Sequence, residues 1–358
     1  MKLLSLTKDK TTLGEKLVIK EIQKNIQEWM QRIPVVVLGS GASVPHGIPG
    51  MWHLGQHLIS TKLPQICSSE EHTKGWQEFL SLIETTDLES ALTKVNVTTE
   101  VTQHIVNSTW HFLNASDLNV YYNVLADRQL LPLSKLFKFL LSGTMREVNV
   151  VTPNYDRIAE YAAESAGFCA FSGFNFGYIG ERAQNPHPVI IQNNQRLRTV
   201  NVWKVHGSFG WFFDSSGVVV SVPPMHQLPP NLSPVIVTPG VEKFRKTHDE
   251  PFRSTIQNAD RVMGNASAFL CIGYGFNDSH LQPRLIERCK NHEVPLILIT
   301  KEISSTAHDF FKSGDCKKYI AIENFEGGIR YFTEEDPSGV IVKGVAYWEL
   351  DNFISLFA

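Results

Sequence analysis

The chain has 358 residues, of which 42% are hydrophobic and 19% charged. That composition supplies a sizeable core and excludes a disordered tail protein, and the length allows one large domain or two of ordinary size. With a formal net charge of −3, bulk charge does not favour binding to nucleic acid or to an anionic membrane.

The first half of the chain begins with α/β elements and continues as a helical stretch. Apolar residues at helical spacing predict a helix over 13–31, and the β-branched run 35–38 predicts a buried strand that enters a glycine-rich turn. A helix over about 51–60 follows. Residues 70–142 show helical periodicity and little strand signal, which predicts a helical insertion of about 75 residues.

The second half alternates strands with helices. Strands are expected at 148–152, 200–205, 235–237, 268–272, 295–300, 339–342 and 346–349. Helices are expected at 156–166, 251–264 and 278–290, with a hairpin over 210–222 and a proline-rich loop over 223–234. Because several strands are continuously apolar, they indicate a parallel sheet covered on both faces.

The fold class predicted is therefore α/β, with a Rossmann-like parallel sheet, helices on both faces, a helical insertion and no zinc ribbon. Residues 1–69 are expected to form the first part of the core and 70–142 the insertion. Residues 143–358 are expected to form the remainder of the core with a C-terminal extension. In such a fold, the chemistry is expected where strands end and loops begin.

The cysteines give an expectation about compartment and metal content. Cys67, Cys169, Cys271, Cys289 and Cys316 are scattered, and no two have CxxC spacing. This argues against a disulfide framework and a zinc ribbon, so we expect no metal. No apolar run reaches the roughly 18 residues of a membrane span, and the N-terminal residues become charged too soon for a secretory signal. We therefore expect a cytoplasmic protein.

The first candidate site follows the strand at 35–38. Gly39, Ser40, Gly41, Ala42 and Ser43 form a turn of the kind in which glycines let the backbone approach a phosphate. The dinucleotide fingerprint needs a further glycine where this chain has valine, and no Gly-Lys-Ser/Thr follows. An ordinary strand-to-helix turn remains an alternative interpretation.

Three further strand ends carry polar or glycine-rich motifs. In Thr-Pro-Asn-Tyr-Asp at 152–156, the Asn and Asp either hold ribose hydroxyls or cap the next helix. In Lys-Val-His-Gly-Ser at 204–208, the histidine is either structural or a base. The stretch 269–278 ends an apolar strand in Gly-Tyr-Gly and then an aspartate that can begin a helix.

The order of these motifs resembles that of the Sir2 (sirtuin) family. The turn at 39–43, followed by Gly-Ile-Pro at 47–49, resembles the family's G-A-G-x-S-x-x-x-G-I-P turn. Residues 152–156 are similar to its T-Q-N-x-D motif, and His206-Gly207 to its H-G motif. The resemblance implies NAD⁺ as the substrate and a reaction at the bond between nicotinamide and ribose.

The resemblance also implies roles for individual residues. Asn154 would lie beside the ribose and the attacking water, and His206 would be the general base. Asp156 would orient the ribose or the nicotinamide pocket. The remaining residues are implied as cofactor-binding: Thr152, then Gly39, Ser40, Gly41, Ala42 and Ser43 at the pyrophosphate, and Gly273, Tyr274 and Gly275 on the adenosine side.

Several departures from the family pattern indicate which branch of the family this sequence resembles. Pro153 replaces the Gln of T-Q-N, Gly-Tyr-Gly stands where the family has Gly-Thr-Ser, and the two CxxC pairs of the zinc module are missing. These departures and the helical insertion are similar to the divergent bacterial Sir2-like branch of anti-phage defence, whose members degrade NAD⁺. Length and insertion resemble the Sir2 subunit that works with a HerA-type hexameric ATPase.

The resemblance implies an NAD⁺ glycohydrolase (NADase) effector, homo-oligomeric and controlled by a partner or by assembly. A HerA-type ATPase is the partner expected, with no membrane and no direct nucleic-acid binding. One alternative is an NAD-dependent protein deacylase or ADP-ribosyltransferase, and another is a scaffold that binds NAD or ADP-ribose without turnover. A nuclease within a larger complex is disfavoured by the acidic pI and by the lack of a carboxylate cluster for Mg²⁺.

Overall fold

The computed structural model describes residues 2–4, 13–185, 189–238, 249–278 and 281–358, with side chains from residue 20 onward. Its helices are α1 (Leu13–Gln31), α2 (Met51–Ser60), α3 (Glu70–Ile83), α4 (Leu88–Lys94), α5 (Thr99–Ala126), α6 (Pro132–Leu140), α7 (Ile158–Ser165), α8 (Phe252–Gly264), α9 (Gln282–His292), α10 (Ser305–Lys312) and α11 (Leu350–Ile354). Its strands are β1 (Lys2–Leu4), β2 (Val35–Leu38), β3 (Glu147–Thr152), β4 (Cys169–Phe171), β5 (Gly180–Glu181), β6 (Ile191–Gln192), β7 (Gln195–Arg196), β8 (Thr199–Lys204), β9 (Gly207–Phe213), β10 (Val219–Ser221), β11 (Ser233–Ile236), β12 (Phe269–Ile272), β13 (Leu296–Thr300), β14 (Tyr319–Phe325), β15 (Gly328–Phe332) and β16 (Val340–Lys343).

A large central sheet organises the fold. In the described part of the chain it has ten strands in the order β1-β16-β15-β14-β13-β12-β2-β3-β8-β4. Neighbouring strands from β14 to β4 all pair in parallel, whereas β15 is antiparallel to β14 and β16. The Rossmann-like α/β fold class is thereby confirmed.

The sheet is covered on both faces, as its continuously apolar strands predict. All four residues of β2 are buried, and successive residues enter different cores. Val36 and Leu38 pack with α1, α6 and α7 on one face, whereas Val35 and Val37 pack with α8, α9 and α10 on the other. This alternation follows from the two-residue period of a strand.

The four predicted motifs lie on four adjacent strands. In the order β12-β2-β3-β8, each strand pairs in parallel with the next, so their carboxyl ends share one edge of the sheet. Each of these strands runs into one of the motifs. Residues that are more than 200 positions apart in the sequence are therefore brought together by strand order alone.

A smaller antiparallel sheet stands beside this edge. Its order is β11-β9-β10-β5, and β9 and β10 form the hairpin that the sequence predicts. Gly207, directly after His206, begins β9 with a φ of +92°, and an added Cβ would lie 2.1 Å from the Val235 carbonyl oxygen. A side chain is excluded there by both the backbone conformation and the close approach of β11.

Residues 70–140 form the helices α3, α4, α5 and α6 before β3 begins. Helices α3 to α5 do not pack by themselves. Trp76, Phe79 and Trp110 share an apolar core with Phe209 and Phe212 of the hairpin. The helical segment and the small sheet are therefore joined by one buried interface next to the edge that carries the motifs.

Two features of the C-terminal region differ from the prediction. The strand expected at 346–349 is wrong, because this stretch is a turn in which the Glu349 amide donates to the Ala346 carbonyl at 3.0 Å, just before α11. The hairpin of β14 and β15 was missed. Its two-residue turn, Glu326-Gly327, has φ values of +45° and +76°, a conformation for which Asn-Gly is the usual sequence signal.

Two observations bear on the expected compartment. None of the helices in the described ranges has the length and apolar content needed to cross a bilayer. All five cysteines are free thiols, and four of them are buried. The expectation about a secretory signal concerns residues that are largely outside the described ranges.

Candidate functional site

A cavity of about 290 Å³ opens at the shared edge of β12, β2, β3 and β8. All four motifs contribute to its wall. The lining residues that the sequence singles out are Gly39, Ser40, Ser43, Asn154, Asp156, His206, Tyr274 and Gly275. The other lining residues were not named as site residues, although some belong to the motifs: Ile48, Pro49, Gly50, Met51, Glu89, Leu113, Pro153, Tyr155, Phe209, Val237, Thr238, Asn277 and Asp278.

The two glycine-rich turns pack directly on each other. The Gly41 amide donates to the Gly273 carbonyl at 3.1 Å, and a Cβ on Gly39 would lie 2.2 Å from that carbonyl oxygen. Gly273 has a φ of +56°, and its own Cβ would lie 2.3 Å from the Gly41 carbonyl carbon. The close approach requires glycine on both sides. Gly41, Ala42 and Gly273 thus support the wall from behind and do not line it.

Most amides of the 39–43 turn donate within the protein. Gly39 donates to the Ile272 carbonyl at 3.0 Å, Ala42 to Gly39 at 3.0 Å and Ser43 to Ser40 at 3.0 Å. Of the five residues in this turn, Ser40 alone has an amide for which the described residues provide no acceptor. Ser40 is exposed and lines the cavity, so it is the donor that this turn offers to a bound anion.

A hydrogen-bonded chain fixes the side chain of Asn154. Its Nδ2 donates to the Gly39 carbonyl at 2.9 Å and to Ser43 Oγ at 3.1 Å. Because both amide hydrogens are taken, Oδ1 is the atom that can accept from a ligand. Ser43 Oγ in turn donates to Asp156 Oδ2 at 2.8 Å. The first two motifs therefore form one polar network.

Thr152 supports this network from behind the wall. Its Oγ1 donates to the Leu38 carbonyl at 2.9 Å and accepts from the backbone amide of Asn154 at 3.0 Å. Thr152 is buried and does not line the cavity. The structure thus places this predicted cofactor-binding residue where it shapes the loop.

Both interpretations of Asp156 that the sequence left open stay predictions. It lines the cavity, and its Oδ1 accepts at 3.2 Å from the backbone amide of Ile158, the first residue of α7, whose N-cap position is Arg157. Burial raises the pKa of the Asp156 carboxyl, and the nearby Lys204 ammonium opposes that rise. Lys204 is buried, donates to the Asp156 carbonyl and lies 3.4 Å from Glu160 Oε1.

His206 faces the cavity from the end of β8. Its Nε2 lies 3.3 Å from Asp278 Oδ2, and both side chains are 8% exposed. Asp278 comes from the loop after β12, where the sequence predicts only the beginning of a helix. The pairing of these two residues had no signal in the spacing of the motifs, because strand order alone brings them together.

Helix α5 holds the loop that carries Asn154 and Asp156. Asp117 Oδ1 accepts from the Arg157 amide at 2.7 Å, and Asp117 Oδ2 accepts from Arg157 Nη2 at 2.6 Å and from the Tyr161 hydroxyl at 2.7 Å. The Asp117 side chain is fully buried. Asn114 Oδ1 accepts from Arg157 Nη2 at 2.9 Å. The helical segment is therefore part of the support of the site.

The wall also takes residues from that segment. Glu89 of α4 and Leu113 of α5 line the cavity together with Tyr155. Burial raises the pKa of Tyr155, and the carboxylates of Glu89 and Asp278 add to that rise. The Tyr155 hydroxyl donates to the Val237 carbonyl at 2.5 Å. No sequence pattern connects Glu89 with the motifs, so it could not be predicted.

The charged residues of the wall are almost all acidic. Glu89, Asp156 and Asp278 line the cavity, and no described lining residue is lysine or arginine. Within the described ranges, no group of three or more His, Cys, Asp or Glu side chains is arranged to hold a metal ion. The arrangement offers a histidine beside a carboxylate, an oriented amide oxygen and a backbone donor on an apolar floor. Such a set can accept a proton from water or a hydroxyl and can stabilise a developing positive charge.

Comparisons with known proteins give one family-model match and several similar solved structures. Residues 148–313 match the family model described as a SIR2-like domain. A search of curated proteins finds no match. A solved Sir2 homologue in complex with 2′-O-acetyl ADP-ribose is similar at 12% identity and a TM-score of 0.42, covering 80% of this chain and 87% of that chain. A Sir2 homologue–NAD complex is similar at 12% identity and a TM-score of 0.39, covering 80% and 84%.

The family match covers three of the four motifs. The motifs at 152–156, 204–208 and 269–278 all fall within it, and the glycine turn at 39–43 precedes it. Residues 148–313 are therefore similar to a SIR2-like domain, which supports the interpretation of this chain as Sir2-like.

Proposed function

We propose that this chain is an NAD⁺ glycohydrolase, which cleaves NAD⁺ with water to nicotinamide and ADP-ribose and releases a proton. The observation that carries the proposal is the convergence of Ser43, Asn154 and His206 on one cavity under two crossing glycine turns. The similarity of 148–313 to a SIR2-like domain supports NAD⁺ as the ligand, as does the NAD held by a similar Sir2 homologue.

The charge of the cavity suits the reaction. Cleavage of the nicotinamide–ribose bond passes through a transition state that resembles an oxocarbenium ion. Carboxylates at Glu89, Asp156 and Asp278 favour a positively charged pyridinium ring and a positive ribose carbon. The phosphates would bind at the 39–43 turn, where Ser40 offers its amide at the start of a short 3₁₀ turn.

Two side chains would act on the reacting atoms. The oriented Oδ1 of Asn154 would accept a hydrogen bond from the attacking water or a ribose hydroxyl, which aligns that oxygen with the ribose carbon. His206 would take the proton that the water releases. Apolar residues such as Leu113 and Phe209 line the same cavity and limit the access of bulk water.

The cellular role belongs to the same proposal. An unregulated NADase would drain its own cell, so we propose low activity of the chain alone and activation by assembly or by a partner. The motif departures and the helical segment support a role as an effector of bacterial anti-phage defence in the cytoplasm. A homo-oligomer and a HerA-type ATPase are the assembly and the partner proposed.

The test is an NAD⁺ assay on the full chain, alone, in each oligomeric fraction and with a HerA-type ATPase. Nicotinamide and ADP-ribose are quantified for the wild type, Asn154→Ala and His206→Ala. We expect each substitution to lower turnover about a hundredfold or more. His292→Ala, an exposed histidine at the end of α9, should match the wild type.

Three results would contradict the proposal. Intact NAD⁺ in every assembly state of the folded wild type would show that the chain is no NADase. Turnover that requires an acylated peptide and yields an acylated ADP-ribose identifies a deacylase. Tight NAD⁺ binding that both substitutions weaken, without turnover in any sample, identifies a scaffold.

A further inference from the structure

The pairing of His206 with Asp278 goes beyond the motifs that define the site. Nε2 of His206 lies 3.3 Å from Oδ2 of Asp278, and each side chain is 8% exposed. The two residues come from the ends of β8 and β12, with β2 and β3 between these strands in the sheet. The contact therefore connects two strand ends on either side of the edge at which the cavity opens.

We propose that Asp278 is a positioning residue that holds the His206 imidazole toward the cavity and stabilises its protonated form. This inference rests on the proposed NADase function, because it assigns His206 the role of a base. Asp278 itself need not touch the substrate. It would act on the reaction through the orientation and the proton affinity of the histidine.

The carboxylate of Asp278 is held in place by the start of α9. Its Oδ1 accepts from the Leu281 amide at 3.1 Å, and its backbone carbonyl accepts from the Gln282 amide at 3.0 Å. With Oδ1 directed at the helix, Oδ2 is the oxygen that faces His206. These two hydrogen bonds orient the Asp278 carboxylate, with Oδ2 toward the imidazole.

The electrostatics of the cavity strengthen this pairing. A carboxylate within about 4–6 Å favours the charged form of a histidine, and burial reduces the screening by solvent. The charge of Asp278 also acts on two neighbouring hydroxyls, since it contributes to the raised pKa of Tyr155 and of Tyr274, for both of which burial is the main cause.

Other ionisable groups face the cavity from the elements around it. Glu89 comes from α4, and Tyr155 and Asp156 come from the loop after β3. Asp156 has both carboxylate oxygens engaged, with Ser43 and with the Ile158 amide.

The proton balance of the step is simple. Water attacks the ribose carbon as the bond to nicotinamide breaks, and the electron pair of that bond leaves with neutral nicotinamide. His206 takes the proton of the water and becomes an imidazolium, which the Asp278 carboxylate stabilises. The imidazolium then releases its proton to solvent after ADP-ribose leaves. No oxidant or further reactant is required.

The first test measures the protonation of His206 by NMR and does not depend on turnover. The protein is labelled at histidine with ¹⁵N, the His206 signal is assigned by its absence in His206→Ala, and it is titrated in the wild type and in Asp278→Asn. Asparagine removes the charge yet keeps an oxygen for the Leu281 amide. We expect the midpoint of the His206 titration to fall by about one pH unit in Asp278→Asn.

The second test measures the reaction. In Asp278→Asn, kcat for NAD⁺ hydrolysis should fall about ten- to a hundredfold with little change in KM, because the base is weaker and less well held. The acidic limb of the pH–rate profile should move to lower pH. Asp351→Asn, which removes an exposed carboxylate paired with Lys135 at 2.6 Å, should change neither quantity.

The outcomes separate this inference from the proposed function. An unchanged His206 midpoint overturns the pairing, whatever the activity. If the midpoint falls but the wild type never consumes NAD⁺, the pairing stands and the proposed function fails. A wild type that is active, with an Asp278→Asn variant of equal kcat and unshifted pH limb, overturns the positioning role alone.

Discussion

At the scale of single residues, the crossing of Gly39 and Gly273 determines the shape of the cavity. The two turns approach so closely that a Cβ on either one would overlap the backbone of the other. Backbone atoms cannot rotate away as a flexible side chain can, so any substitution must displace β2 or β12. The position of Ser40 and Asn154 depends on this contact, because Gly39 accepts from Asn154 Nδ2.

We predict that Gly39→Ala destabilises the fold and weakens ligand binding. The added Cβ would lie 2.2 Å from the Gly273 oxygen, and forced overpacking of this kind costs about 1–3 kcal/mol. Urea denaturation followed by circular dichroism measures the loss of stability. Gly143→Ala is the matched control, since nothing lies within 4 Å of its Cβ. Equal denaturation midpoints for the two variants would refute the proposed overlap.

The residues at the cavity differ in how far sequence could predict them. Gly39, Asn154 and His206 each follow an apolar strand, and parallel strands bring such positions to one edge. Glu89 had no comparable signal, and Asp278, although it follows the apolar strand β12, had no signal for its pairing with His206. Glu89 lies on an amphipathic helix with an exposed polar face, and Asp278 has the position of an ordinary helix start. Their places in the wall depend on tertiary packing, which local spacing does not encode.

At the scale of elements, helix α5 supports the loop after β3 that lines the cavity. It contributes Asp117 to the Arg157 backbone and side chain, at the position directly after Asp156. A buried ion pair of this kind adds little net stability when both partners are present. Removing one partner is costly, because the remaining charge has lost its compensation in a site that water does not reach.

We predict that Asp117→Asn lowers the free energy of unfolding by about 3–5 kcal/mol, since the Arg157 guanidinium would stay buried without a counter-charge. Asp351→Asn breaks an ion pair whose side chains are 47% and 56% exposed, and it should cost less than about 1 kcal/mol. Chemical denaturation of both variants gives the comparison. A cost for Asp117→Asn as small as that of Asp351→Asn would show that α5 does not hold the loop in this way.

Element prediction succeeded where one local signal dominated. The bounds of α1 and β2 match the expected ranges 13–31 and 35–38, because helical spacing and a β-branched run leave little ambiguity. The hairpin of β14 and β15 was missed, since Glu326 takes a positive φ that its residue type does not announce. The stretch 346–349, where a strand was expected, is instead a turn between β16, which ends at Lys343, and α11.

At the scale of the whole molecule, the described residues form four apolar cores that stabilise the fold, and the smallest of them lies around Trp211. Two cover the faces of the central sheet, and the third joins the helical segment to the hairpin after His206. Trp110 lies at the centre of the third core, fully buried, and its Nε1 donates to the Phe209 carbonyl at 3.0 Å. The helices over 70–126 are thus packed against the hairpin that follows His206, next to the candidate site.

We predict that Trp110→Phe lowers the stability of the helical segment and the hairpin together. The Phe209 carbonyl would lose its donor, at a cost of about 1–3 kcal/mol. Hydrogen exchange should show faster opening in both α5 and β9. Trp52→Phe, at a side chain that is 70% exposed, should leave exchange in both elements unchanged. Faster exchange in α5 alone would mean that the two parts open independently.

Three side chains of helix α5 make hydrogen bonds to other elements from one side of the helix. Trp110 reaches Phe209, Asn114 reaches the Met225 carbonyl at 2.9 Å, and Asp117 reaches Arg157. These donors and acceptors are three or four residues apart, so they lie on one side of the helix. Because the three contacts share one side of the helix, an axial displacement of α5 would strain all of them together. The position of the loop that carries Asn154 thus depends on the axial position of α5.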